Sequence, residues 1–322
     1  MDDQFLRDLK KQPATEFAAR LRAELRAFPP HAAARVAPAA DFKRWFAAAA
    51  SIAIVGFAFT FPAVQAGAQA FLDLFRVKQF TGVQFDPERL QSLESSGFDP
   101  AAIFGTVEPM TTPQEPVSYA TAADAGAAAG IRVRTPAWVP QGFSSTGFMA
   151  SSEHAARITV NVAGLQALLD TLGLGDVELP QGLDGQTATV RVPPIVTQTF
   201  VNGERSVHVV QAESPDVSFP AGLDLSKLAY AGLRVLGMPR DEAYRMSVTI
   251  DWSSTLVIPV PSKAAAYRPI NVAGNEGLLI EGAAVNEGHP GGVLMWSAGG
   301  ETFAVAGPLS GQELLEIAQT LQ

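Results

Sequence analysis

Four histidines, His31, His154, His208 and His289, are the side chains best suited to neutral-pH proton transfer or metal binding, and no two lie three to five residues apart. A metal site carried by one helix or one turn needs that spacing, so a site here would have to assemble over long range. The chain has no cysteine, which excludes disulfides, thiolate zinc sites, iron–sulfur ligation and cysteine nucleophiles. A G-x-S-x-G elbow, a G-x-x-x-x-G-K loop and an H-E-x-x-H helix are missing from the sequence. The carboxylate pairs Asp241/Glu242 and Glu313/Glu316 have the residue types for acid–base work, but roles at helix starts and on the surface explain them more simply. His208 stands between Val207 and Val209, an alternation that places it on the solvent side of a strand. These residues predict neither enzyme nor cofactor nor metal.

The most individual stretch is IDWSSTLVIPVP at 250–261. Asp251 and Trp252 open a polar, aromatic turn between two apolar runs. It reads either as a recognition loop for a partner or as an Asx or Ser/Thr turn in which Trp252 covers a core edge.

The elements that must position these residues follow from charge and periodicity. Of 322 residues, 47% are hydrophobic and 17% charged, the latter below the roughly 25% of ordinary globular chains. Residues 1–44 hold nine Lys or Arg against six Asp or Glu, so the net −9 divides into +3 and −12. An acidic bulk without a basic stripe disfavours nucleic-acid binding. Residues 45–72 carry no charge, and twenty helical residues span about 30 Å, so 45–66 is expected to be a transmembrane helix in the lipid bilayer. Lys43 and Arg44 at its entry would hold the N-terminus in the cytoplasm and the C-terminal part outside. Two other readings of the run are a buried core helix and a cleaved leader ending near Ala66-Gly67-Ala68.

Within 1–44, Thr15 has an N-cap position and Phe17, Leu21, Leu25 and Phe28 recur at helical spacing, an apolar stripe suited to a cytoplasmic partner or a lipid surface. Residues 67–116 read as a juxtamembrane connector and 117–322 as the main domain. There, alternation predicts strands at 157–162, 187–192, 206–211, 246–252, 255–260, 277–280, 293–297 and 302–305, with a hairpin at 298–300. Helical spacing marks 165–172 and 225–236, and capping patterns mark helices beginning at Thr121 and Ser310. The expected fold class is α+β: a mainly antiparallel sheet with packed helices, preceded by one transmembrane helix.

Two stretches carry a family resemblance: PAWVPQGF at 136–143, and 296–321, where a tryptophan strand, a glycine turn, a second strand and a capped helix follow one another. Over roughly the last 200 residues the chain resembles uncharacterised extracytoplasmic domains at the C-termini of single-pass bacterial membrane proteins, some of them anti-sigma-factor-like. The resemblance implies a sensory or regulatory protein that controls a sigma factor through its N-terminal segment and binds an unidentified ligand outside. Zinc-type anti-sigma domains carry a histidine with paired cysteines, and cysteine is missing here. The alternative is a binding or carrier module for an apolar ligand or envelope component, without signalling.

Overall fold

The computed structural model describes residues 77–85, 105–112, 114–219, 222–261, 266–286 and 289–322. In chain order the first strands are β1 (Gln79–Phe85), β2 (Thr106–Pro109) and β3 (Val117–Tyr119), followed by helix α1 (Ala122–Ala129). Then come β4 (Ser144–Ala150), β5 (His154–Thr159), α2 (Val162–Thr171), β6 (Thr187–Val192), β7 (Ile195–Asn202), β8 (Arg205–Glu213) and β9 (Asp216–Ser218). The rest comprises α3 (Leu225–Val235), α4 (Arg240–Thr249), β10 (Thr255–Pro261), β11 (Ala266–Val272), β12 (Asn275–Asn286), β13 (His289–Ala298), β14 (Glu301–Gly307) and α5 (Gly311–Gln319).

Among the described residues the strands form three sheets. Eight strands pair in the order β11-β12-β13-β14-β8-β7-β4-β3, four in the order β2-β5-β6-β9, and β1 with β10 alone. The two larger sheets are antiparallel, whereas β1 and β10 run parallel, with Gln79 opposite Thr255 and Phe85 opposite Pro261.

The expected fold class is therefore corrected. Among the described residues strand outweighs helix by 43% to 23%, and the helices are short, 8 to 11 residues long. No helix among the described residues is long and apolar enough to cross a membrane. The segment 45–66, and Phe17, Leu21 and Leu25, lie outside the described residues. A second correction falls at 246–252, expected as a strand: α4 runs to Thr249 and a turn follows. The β-branched residues there suggest extended chain, but Ser247 Oγ donates to the Tyr244 carbonyl (2.8 Å) and Thr249 Oγ1 to that of Arg245 (2.7 Å), so the helix satisfies its own hydroxyls.

On the large sheet, Val207, Val209, Phe303, Val305, Leu294 and Trp296 face α5, which returns Leu314, Ile317 and Ala318. Leu314 and Ile317 are fully buried, worth about 1.5–3 kcal/mol each in transfer free energy. Their close approach depends on Gly292 in β13, where a Cβ would stand 2.7 Å from a Leu314 methyl. Ser310 and Glu313 start α5 with a reciprocal capping box. The two stretches of the family resemblance meet here: Thr135 N–H donates to the Gln322 carbonyl (3.1 Å), Ala137 N–H to that of Thr320 (3.0 Å), and Phe143 enters the same core.

Helix α3 is buried along much of its circumference because it wedges between two layers. Leu228 packs with Ile158, Leu168 and Val190 of the four-stranded sheet and α2, while Ala229 and Leu233 pack with Val83 and Val257 of the β1–β10 pair. That pair lies between α3–α4 and the large sheet, to which it turns Ile258 and Val260 against Leu278 and Ile280. Strands β1 and β2 both fall in the stretch read as a connector, and Val83 is fully buried.

Candidate functional site

A crevice opens at the C-terminal end of β1. Gln84 and Phe85 form one wall, the 236–239 loop between α3 and α4 forms the floor, and Glu242 and Tyr267 close the other side, enclosing about 240 Å³. The loop is held by backbone bonds: Gly237 N–H donates to the Arg234 carbonyl (3.0 Å) and Met238 N–H to that of Leu233 (3.0 Å). Pro239 then opens α4, whose first turn carries Asp241 and Glu242, where carboxylates favour the positive end of a helix. Tyr267 comes from β11, the edge of the large sheet, and its ring lies over Gly82, where a Cβ would stand 2.4 Å from the ring. Glycine at 82 is thus a condition for Tyr267 to reach the crevice.

Phe85, Leu236, Met238 and Pro239 give the crevice an apolar lining, and Gln84, Glu242 and Tyr267 give it polar groups. None of these three side chains makes a hydrogen bond or ion pair to another described residue. Partial burial, and then the charge of Glu242, push the Tyr267 phenol above its ordinary pKa.

Trp252 supports this crevice from behind instead of presenting itself to a partner. It is 9% exposed, packs with Leu236, Met238, Ala243 and Val83, and donates from Nε1 to the Ser247 carbonyl (2.7 Å). Asp251 builds the turn beside it. Its carboxylate accepts from the Ser253 N–H (3.0 Å), the Ser253 hydroxyl and the Ser254 hydroxyl (2.8 Å). Those bonds, with the nearby charge of Lys78, hold the carboxyl below its ordinary pKa. The turn reading of 250–261 describes this geometry. The chemistry that sequence reasoning missed is that of Gln84 and Tyr267; Glu242 it placed at a helix start, where it stands, without seeing the cavity in front of it.

Among the described residues no group of three His, Asp or Glu could hold a metal ion. His154 meets the Ser152 carbonyl through Nδ1 (2.9 Å). His208 is more buried than its alternation suggests: Thr199 Oγ1 lies 3.1 Å from Nδ1 and Ser206 Oγ 3.2 Å from Nε2. Burial pulls its pKa from 6.5 down to about 4. An imidazole that weakly basic is a poor general base for the adjacent serine at neutral pH. A second hollow of about 190 Å³, floored by Pro109, Ala156, Val190 and Val192, lies on the four-stranded sheet.

Comparison with the profiles of known protein families, with curated proteins and with solved structures finds no match to this chain.

Proposed function

We propose that this chain is a regulatory binding protein: the crevice between β1, β11 and the α3–α4 loop takes up a ligand or a partner's side chain, and residues 1–44 pass that state to a second protein. The observation that carries this reading is the convergence of Gln84, Glu242 and Tyr267, none with a polar partner among the described residues, on one cavity of mixed polar and apolar lining. Unpartnered polar groups around an apolar floor are what recognition sites present. A sigma factor is the effector that the family resemblance implies for Phe17, Leu21 and Leu25. Recognition is favoured over catalysis by the low basicity of His208, which stands between two hydroxyls. Both hollows are small beside the roughly 300–1,000 Å³ of ordinary ligand pockets, so carriage of a large apolar envelope component is less well supported than recognition of a single side chain or small group.

The test compares the tagged full chain with Gln84→Trp, which fills the crevice from an exposed position, and with a chain lacking residues 2–26. Co-purifying proteins and transcript levels are the readouts. The expected result is that loss of 2–26 releases the partner and that Gln84→Trp changes its regulation without unfolding the protein. Unchanged partners and transcripts in both variants would refute the reading.

A further inference from the structure

We infer that the crevice selects a protonated amine or guanidinium carried on an apolar stem, with Glu242 as its counter-ion. This rests on the reading of the crevice as a ligand site and adds the chemical class of what enters it. Among the described residues, Glu242 is the one charged side chain lining the cavity. Of the two arginines nearest to it along the chain, Arg240 is turned toward Asp176 (3.9 Å), and Arg245, one turn further along α4, neither lines the cavity nor pairs with Glu242; Arg268, beside Tyr267, is turned toward Glu281 (3.6 Å). Among the described residues, an anion would therefore meet Glu242 without a compensating charge in the cavity wall, whereas a cation would meet a carboxylate engaged in no ion pair. The positive end of α4 weighs against a cation, but Asp241 in the same first turn offsets it.

The hydrogen-bond inventory agrees. An ionised Glu242 only accepts, Gln84 accepts and donates, and the Tyr267 hydroxyl, kept neutral, can do either. The complement is a group rich in N–H. Phe85 and Pro239, with the edges of the largely buried Leu236 and Met238, supply a small apolar surface for a short stem. At about 240 Å³ the cavity is smaller than the roughly 300–1,000 Å³ typical of drug-sized ligands, which suits a single side chain or a small amine. That chemistry has two sources, a free alkylamine and a Lys or Arg side chain presented by a peptide.

The experiment uses the full chain with its methionine methyls labelled with ¹³C, Met238 reporting on the crevice. Three probes of one shape are titrated: phenethylammonium, the neutral 2-phenylethanol and the anionic 3-phenylpropionate, together with an acetylated Phe-Lys-Phe amide. The expected result is a Met238 shift that saturates with the ammonium and the lysine peptide, not with the anion, and is weakened about tenfold or more by Glu242→Gln. Glu242→Gln should leave the alcohol's weak binding unchanged. Tighter binding of the peptide, or of the free amine, identifies the source. Equal binding of all three small probes, insensitive to Glu242→Gln, would overturn cation selectivity while keeping the crevice as a ligand site. No Met238 shift with any probe would overturn both.

Discussion

Replacing His208 by Gln should flatten the acid limb of this protein's stability. In the native state burial holds the imidazole near pKa 4, while an unfolded chain returns it to 6.5. Between those values the unfolded state binds more protons, so stability must fall as pH drops from 6.5 toward 4 and is fully present above 6.5. At about 1.4 kcal/mol per pH unit, the gap corresponds to about 3 kcal/mol, and nearer 2 once the incomplete sealing of the ring is allowed for. Glutamine can keep bonds to the Thr199 and Ser206 hydroxyls, yet does not titrate. The assay is urea unfolding followed by tryptophan fluorescence at half-unit steps from pH 4 to 7.5, wild type against variant. Carboxylates with lowered pKa, such as Asp251 and Glu313, act on both proteins alike and cancel in the difference. The wild type should lose about 2–3 kcal/mol relative to the variant across the window. A difference that does not vary with pH would refute the claim that His208 is held neutral by burial.

Three further substitutions test the packing argument. Ser310→Ala removes the capping box of α5 and should cost about 1 kcal/mol, seen as a lower melting temperature. Gln211, almost wholly buried, accepts from the Arg134 N–H (2.8 Å) and donates to the Arg134 carbonyl (2.6 Å). Gln211→Leu orphans both backbone groups and should cost about 1–3 kcal/mol in urea unfolding, with faster amide exchange near Arg134. Gly82→Ala forces the Tyr267 ring aside and should weaken phenethylammonium binding while the circular dichroism spectrum of the sheets is retained.

Much of the local structure was legible. Thr121 and Asp124 start α1, Gly130 ends it in the left-handed conformation, and Ser310 with Glu313 starts α5, all as their spacing indicates. Strand β6 lies at 187–192, and 298–300 turns β13 into β14. Each of these depends on residues within a few positions of one another, so the physics that decides them is visible along the chain. At 246–252 local preference was overruled, because Ala243 and Ser247, one turn apart, bury against the core and hold the segment helical.

The sequence by itself determined the caps, the hairpin turn, the buried stripe of α5 and the exclusion of cysteine chemistry, since these need only neighbours and composition. Tertiary structure alone decided that β1, in a stretch that looks like a connector, pairs in parallel with β10, and that Trp252 lies behind a cavity rather than before it. It also decided that Gln84, Glu242 and Tyr267 share one crevice. Those outcomes depend on which distant surfaces bury each other once three sheets stack, a free-energy balance over the whole fold that no local spacing records.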